Sequence, residues 1–353
     1  MKKILFNIVL IFIFFPGIGQ NNIEPFKVLT GHKYKLNYLR FSDDSKFLVS
    51  GGWDNNVILW DMETFSKLHV LNGHTDWIRE VDISPDNKFV VSGSHDGSIK
   101  IWDLYSGEMK YDIEPTPREF INKGIIPELD RKAKNAISAL AFSPDGRYFA
   151  VGSTDDLIRI LDSKSFELIH TLEGHGASVF YIDFSKNSDI MVSGAIYNEL
   201  IVWDTKTFRP IRKLKEERGY NGSFQFFNND KYLLNTGNSK INEWDIYEGN
   251  LIRSYPVQKM LQSVQLTTDE KYMFTCAEDH TLKLWDFNSG EELWSYTNTK
   301  PELADCKISP DGKYLALATP EGKILIWKLK DFFSKSRIKK NKVENSDLIL
   351  FIL

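Results

Sequence analysis

The chain has 353 residues, of which 42% are hydrophobic and 26% are charged, and its formal net charge is −4. This composition is typical of a globular protein that is long enough to bury a sizeable core. The negative charge opposes binding to phosphate backbones, so we expect no nucleic-acid partner for the folded body.

The first 19 residues have the pattern of a secretory signal peptide. A basic start at residues 1–3 precedes an apolar run at residues 4–15, and the small residues Gly17 and Gly19 follow. We expect cleavage near Gly19 and an exported mature chain that is periplasmic, attached to the cell surface or secreted. A retained membrane anchor is the alternative, but this run is shorter than the about 20 residues that a spanning helix needs.

From residue 26 onwards the sequence repeats a unit of about 42 residues seven times. Successive units end at Asp61, Asp103, Asp162, Asp204, Asp245 and Asp286, with Lys328 in the matching place of the last unit. The spacings are 42, 59, 42, 41, 41 and 42 residues, so one interval carries an insertion of about 17 residues, within residues 111–135. A fixed period of this length indicates a repeat architecture, in which each repeat forms one structural unit.

Each unit contains four predicted strands. In the second unit three of them cover residues 77–83, 89–94 and 98–103, and a fourth short run precedes each Gly-His pair, as at residues 67–71. Their partial apolar alternation is typical of strands with one better-buried face. Ser84-Pro85-Asp86 and similar segments predict tight turns between the first and second strands, because the fixed φ of proline suits the second position of such a turn.

Trp-Asp and Gly-His dipeptides occur at equivalent places in these units. The Trp-Asp pairs are Trp60-Asp61, Trp102-Asp103, Trp203-Asp204, Trp244-Asp245 and Trp285-Asp286, and the Gly-His pairs are Gly31-His32, Gly73-His74 and Gly174-His175. In period and motifs the chain resembles the WD-repeat (WD40-type) β-propeller family, and we interpret it as an exported, bacterial-type member. The resemblance covers residues 26–329. It implies an all-β, seven-bladed β-propeller of four-stranded antiparallel blades, closed by an N-terminal strand that completes the last blade.

The same resemblance implies a hydrogen-bonded network of buried side chains within a blade. The matching residues are His32, Ser50, Asp54 and Trp60 in the first unit and His74, Ser92, Asp96 and Trp102 in the second. A Ser-His-Asp set could instead be an acyl-transfer triad, but its repetition favours a structural role, since one active site is enough. The sequence has no phosphate-binding loop, metal motif or nucleophile elbow, so we expect no catalysis, cofactor or metal.

In the family that the chain resembles, partners often dock on one face of the propeller. This face is formed by the loops that lead into the first strand of each blade and those that join the second strand to the third strand. Aromatic and arginine side chains, which are enriched among interface anchors, cluster there. They are Trp53, Trp77, Arg79, His95, Phe180 and Tyr220. Local packing of these aromatic residues is the alternative. We predict a non-catalytic scaffold that binds a protein or peptide; the alternative is a propeller enzyme or a sugar or lipid receptor that uses the channel mouth.

Two cysteines and a C-terminal tail complete the sequence. Cys276 and Cys306 stand at strand positions equivalent to Gly93 and Val81, and we consider both buried free thiols and a disulfide. We assign residues 20–331 to the propeller and residues 332–353 to the tail, which is basic and then apolar. Its six final apolar residues are too few to span a membrane, so membrane contact is expected only through this tail.

Overall fold

The computed structural model describes residues 23–113, 136–196, 199–215, 223–237, 240–257, 260–298 and 303–333. Within these ranges the chain forms seven four-stranded antiparallel β-sheets. One short 3-10 helix, Leu329–Asp331, follows the last strand. The predicted seven-bladed propeller of four-stranded antiparallel blades is confirmed. Residues 1–22 and 334–353, which include the predicted signal peptide and most of the tail, lie outside the described ranges.

Six blades are each built from four consecutive strands. Blade 1 contains β2 (Leu36–Phe41), β3 (Phe47–Gly52), β4 (Val57–Asp61) and β5 (Ser66–Leu71). Blade 2 contains β6 (Ile78–Ile83), β7 (Phe89–Ser94), β8 (Ile99–Asp103) and β9 (Met109–Ile113). Blade 3 contains β10 (Ile137–Phe142), β11 (Tyr148–Ser153), β12 (Ile158–Asp162) and β13 (Leu168–Leu172). Blade 4 contains β14 (Val179–Phe184), β15 (Ile190–Ala195), β16 (Glu199–Asp204) and β17 (Arg209–Lys215).

The remaining blades follow the same order. Blade 5 contains β18 (Phe224–Phe227), β19 (Tyr232–Thr236), β20 (Lys240–Asp245) and β21 (Asn250–Pro256). Blade 6 contains β22 (Leu261–Leu266), β23 (Tyr272–Ala277), β24 (Thr281–Asp286) and β25 (Glu292–Thr297). Blade 7 contains β26 (Cys306–Ile308), β27 (Tyr314–Ala318), β28 (Lys323–Lys328) and β1 (Lys27–Thr30).

The first strand of the described residues lies in the same sheet as the last. Strand β1 pairs antiparallel with β28, with Val28 opposite Leu325. The segment before β1 also contacts this blade, because the Trp327 indole Nε1 donates a hydrogen bond of 2.8 Å to the Ile23 carbonyl. Blade 7 therefore contains residues from both ends of the described chain.

The Ser-Pro-Asp turns between first and second strands are held by their own side chains. Ser84 Oγ donates to Asp86 Oδ1 at 2.8 Å and accepts from the Phe89 backbone N–H at 2.9 Å. Asn87 in this turn has a φ of 55°, and Gly146 in the equivalent turn of blade 3 has a φ of 67°. These left-handed residues explain why Asn or Gly ends the turn.

Two predicted boundaries differ from the structure. Residues 111–113, assigned to the insertion, form the end of β9, and the remaining insertion residues lie outside the described ranges. At the other end, Phe332 is buried in a core cluster and Phe333 packs against it. The tail therefore begins with two aromatic side chains packed on the propeller. Among the described residues, no helix has the length and hydrophobicity that crossing a membrane requires.

Candidate functional site

The network residues of blade 1 meet as a chain of hydrogen bonds. His32 Nδ1 lies 2.9 Å from Asp54 Oδ1, and His32 Nε2 lies 2.8 Å from Ser50 Oγ. The Trp60 indole Nε1 donates to the same Ser50 oxygen at 2.8 Å. Because the carboxylate only accepts, Nδ1 carries the proton and Nε2 accepts from Ser50. Burial opposes ionisation of Asp54, but hydrogen bonds from the His32 ring and from the Lys33 backbone N–H outweigh it and lower the Asp54 pKa.

Blade 2 repeats this arrangement. His74 Nδ1 lies 3.0 Å from Asp96 Oδ2, and His74 Nε2 lies 2.8 Å from Ser92 Oγ. The Trp102 indole Nε1 donates to Ser92 Oγ at 3.2 Å. Burial acts to raise the pKa of Asp96, yet hydrogen bonds from His74 and Ser98 outweigh it and lower that pKa well below its usual range.

These Ser-His-Asp sets lack the access that acyl transfer requires. Ser50 and Ser92 are both fully buried. Each serine oxygen already accepts an indole N–H, so it has no free approach for a substrate carbonyl. The network gives these buried polar groups hydrogen-bond partners within the blade, so its role is structural.

In blades 4, 5 and 6 the tryptophan indole also donates to a side chain of the second strand. In blade 4, Ser193 Oγ accepts from Trp203 and lies 2.6 Å from His175 Nε2. Trp244 donates to Asn235 in blade 5, and Trp285 donates to Thr275 in blade 6, each at 2.9 Å.

Blade 3 has Leu161 where other blades have tryptophan, and a buried ion pair involves Arg159, two residues earlier in the same strand. The buried guanidinium of Arg159 lies 2.6 Å from Asp155 through Nη2 and also donates to Ser153. Sequence reasoning missed Arg159. A charged residue inside the apolar strand Ile158–Asp162, four residues after Asp155, was the available signal.

The predicted partner face contains a stacked pair of exposed indoles. The Trp53 and Trp77 rings are 4.2 Å apart between centroids and inclined by only 5°. They remain 37% and 40% exposed, respectively. Loops of two adjacent blades, 1 and 2, supply them. We call Trp53 and Trp77 the tryptophan pair.

Polar side chains fix the orientation of the tryptophan pair. Trp53 Nε1 donates to Asn37 Oδ1 at 2.8 Å, and the Lys35 ammonium lies 5.3 Å from the Trp53 ring centroid. On the Trp77 side, the His95 ring lies 6.0 Å away between centroids. The structure thus brings Trp53, Trp77 and His95 together as one surface.

Two further predicted residues meet separately. The Arg79 guanidinium lies 5.2 Å from the Phe180 ring centroid, which joins blades 2 and 4 across the intervening blade 3. Tyr220 lies outside the described residues, so its position relative to these groups stays a prediction.

A cavity of about 240 Å³ lies along the central channel, and the tryptophan pair and Arg79 form part of its lining. Further along the first strands, Arg40 Nε forms an ion pair of 3.0 Å with Asp82 Oδ1. Lys307 pairs with Asp305 at 3.2 Å.

Carboxylates of the channel also join neighbouring blades. Asp82 Oδ2 accepts the Phe142 backbone N–H at 2.9 Å, and Asp305 Oδ2 accepts the Leu39 N–H at 3.1 Å. Burial raises the pKa of Glu80 to about 8, although Lys307 opposes the rise. Burial likewise raises the pKa of Asp183 to about 6, against the opposing charge of Arg40. Sequence reasoning did not identify this cluster.

Comparison with protein-family models decides the repeat type. The model described as "WD domain, G-beta repeat" matches residues 23–61, 65–103 and 249–286. The chain contains WD40 repeats. A second model, that of the anaphase-promoting complex subunit 4 WD40 domain, matches residues 121–187. A WD40 propeller fits a role in protein interaction.

Curated relatives match the chain over part of its length. The cilia- and flagella-associated protein 52 of Macaca fascicularis is 24% identical over 200 residues, which are 54% of this chain and 34% of that protein. The serine-threonine kinase receptor-associated protein of Homo sapiens is 24% identical over 195 residues, 55% of each chain. The chain thus spans between a third and about half of these relatives, which are eukaryotic proteins.

Proposed function

We propose that this WD40 propeller is an exported, non-catalytic platform that binds a protein or peptide through the tryptophan pair. The stacked, half-exposed indoles carry the proposal. Neighbouring Asn37, Lys35 and His95 hold them in place, so little side-chain freedom is lost when a partner covers them. Rigid aromatic anchors of this kind are enriched among the residues that dominate binding energy.

Export is proposed from the N-terminal sequence. A basic start, an apolar run at residues 4–15 and the small residues Gly17 and Gly19 fit a cleaved signal in a bacterial-type host. Expression with cell fractionation, followed by N-terminal sequencing, tests this point. We expect an exported protein that begins at Gln20; a cytosolic protein that begins at Met1 would contradict it.

Affinity capture tests the binding face. The bait is wild type or the Trp53→Ala/Trp77→Ala variant, incubated with proteins of the compartment that fractionation identifies. We expect wild type to retain a specific protein that the variant loses. Tyr105→Ala, which removes an aromatic residue that is 68% exposed and distant from the tryptophan pair in sequence, is the control and should keep the partner. Equal capture by all three baits would contradict the proposed face.

A small-ligand receptor is the second candidate, and the 240 Å³ channel cavity with its charged lining favours it. A thermal-shift screen of sugars and lipids separates the two candidates, since a bound ligand stabilises the folded state. A compound that raises the Tm, in a protein for which capture finds no partner, would reverse their order.

A further inference from the structure

The two cysteines face each other across the seam between blades 6 and 7. Cys276 lies in β23 and Cys306 in β26, and both are fully buried in one hydrophobic cluster. Ser263 connects their strands. It stands opposite Cys276 in the β22–β23 register, and its Oγ donates to the Cys306 carbonyl at 3.1 Å.

The equivalent seam, between blades 1 and 2, indicates how close these two positions lie. Gly51 occupies the register position of Cys276, and Val81 occupies that of Cys306. A Cβ added to Gly51 would lie 3.0 Å from Val81 Cγ1. One further C–C bond of about 1.5 Å leads to the Val81 Cβ, so in this equivalent seam the two Cβ positions are at most about 4.5 Å apart. Disulfides span Cβ separations of about 3.5–4.5 Å.

Blade 7 also has room for the Cys276 side chain. In the seam between blades 1 and 2, a Cβ on Gly51 would come within 2.4 Å of Ile78 Cγ2. Leu303 stands in the place of Ile78 in blade 7, three residues before Cys306. Leucine has no methyl branch at Cβ, so the obstacle to a side chain at this position is absent.

We propose that Cys276 and Cys306 form an inter-blade disulfide when the chain folds in the presence of a disulfide oxidant such as oxidised glutathione. One cysteine thiolate attacks a sulfur of the oxidant and displaces one oxidant thiol. The other cysteine loses its proton and attacks the mixed disulfide, which releases the second oxidant thiol. The chain loses two electrons and two protons, and the oxidant disulfide is reduced to two thiols.

The bond forms before the ring is complete. In this structure both cysteines are free thiols, and neither is exposed. Burial above all, with the adjacent Cys306 side chain adding to it, raises the pKa of the Cys276 thiol well above its usual value. A buried, protonated thiol is a poor nucleophile and is inaccessible to the oxidant. Exchange is therefore fast only before blades 6 and 7 pack together.

Refolding tests the proposal. Reduced, denatured chain is diluted into native buffer that contains either a mixture of reduced and oxidised glutathione or reductant alone. We expect the first sample to have an intact mass lower by two hydrogens. Because the bond closes a loop of about 30 residues, its Tm should also be higher by about 5 °C or more. Reduced protein that is already folded should keep both thiols in the same glutathione buffer.

The Cys276→Ala/Cys306→Val variant is the control, since Ala318 and Val81 occupy the equivalent positions in blades 7 and 2. It should fold and show neither the mass change nor the shift in Tm. Wild type that refolds with both thiols free in the glutathione mixture would overturn the proposal. A bonded chain that melts below its reduced form would do so as well.

Discussion

Trp102 combines packing and hydrogen bonding in a single buried side chain. Its ring belongs to the core cluster between blades 1 and 2, and its Nε1 donates to Ser92. Trp102→Ala should lower the free energy of unfolding by about 3–5 kcal/mol, because it opens a cavity and removes the donor. Trp102→Phe should cost less, since it keeps much of the ring. Chemical denaturation of both variants measures these effects; an unchanged midpoint for Trp102→Ala would contradict the assigned role.

Glu80 should make stability depend on pH. Its pKa rises from an ordinary value of 4.5 to about 8 in the folded chain, chiefly through burial. Between these values the folded chain holds a proton that the unfolded chain releases, so stability falls as the pH rises through this window. Glu80→Gln cannot titrate. In denaturant unfolding, the free energy of unfolding of this variant relative to that of wild type should increase from pH 5 to pH 8. A difference between the two proteins that does not change with pH would contradict the prediction.

At the residue scale, the sequence predicts polar side chains well where the repeat motif is complete. In blades 1 and 2 the resemblance named each residue of the two networks, and the structure places hydrogen bonds between them. Where the motif serine or threonine is missing, the tryptophan indole donates to an acceptor that is not part of the motif. Trp327 uses the backbone carbonyl of Ile23, which no side-chain pattern predicts.

Strand β1 shows how one element divides between core and solvent. Leu29 is 2% exposed and belongs to the core cluster between blades 7 and 1, whereas its neighbour Val28 is 42% exposed. Leu29→Ala should therefore lower the free energy of unfolding by about 2–5 kcal/mol, and Val28→Ala in the same strand should change it by about 0.5 kcal/mol or less. Denaturant unfolding of the pair checks this. Equal effects would show that β1 does not pack as described.

The strands were predictable because their apolar alternation and turn residues recur, but their register was not. In blades 1 to 4 and 6 the first strand carries a bulge after its first residue, as between Ile78 and Glu80. A bulge interrupts the period of two and turns the following side chains towards the channel. No glycine or proline marks it in β6. This is why the charged channel residues Glu80, Asp82 and Arg40 could not be assigned from sequence.

At the scale of the whole ring, each seam pairs a small residue with a complementary apolar one. Between blades 4 and 5, Gly194 faces the Phe224 ring, and an added Cβ would lie 2.5 Å from it. In three other seams, glycine in the second strand faces a β-branched residue of the next blade, and a Cβ on it would meet that residue at 2.4–2.8 Å. These pairs are Gly51 with Ile78, Gly93 with Ile137 and Gly152 with Val179. Where the first position is not glycine, leucine holds the second. By repeat position these pairs are Thr236 with Leu261, Cys276 with Leu303 and Ala318 with Leu36.

These residue types can be read from the sequence, but the sequence alone does not show that the two positions of each pair are in contact. The period assigns equivalent positions in different units, whereas the seam joins non-equivalent positions of neighbouring units, such as Gly51 and Ile78, which are 27 residues apart. Only the three-dimensional contact identifies them as partners. The ring therefore adds pairwise constraints that single repeats do not have.

A double-mutant cycle tests this complementarity. Gly51→Ala should lower the free energy of unfolding by about 1–3 kcal/mol, because the new methyl group would overlap Ile78 Cγ2. Ile78→Leu alone should cost about 1.5 kcal/mol or less. Combined, the two changes reproduce the Ala318–Leu36 seam, so their effects should be non-additive, with the double variant more stable than the sum by at least about 0.5 kcal/mol.

The matched control is Gly176→Ala, since an added Cβ at Gly176 meets no atom within 4 Å. We expect this variant to differ from wild type by about 0.5 kcal/mol or less. Denaturant unfolding of wild type, the two single variants and the double variant gives the coupling. If the effects of Gly51→Ala and Ile78→Leu on the free energy of unfolding are additive, each seam adjusts to a larger side chain on its own and does not favour particular residue pairs. A positive coupling would mean that replacements at a seam must be made in pairs, as Cys276 and Leu303 occur together in blades 6 and 7.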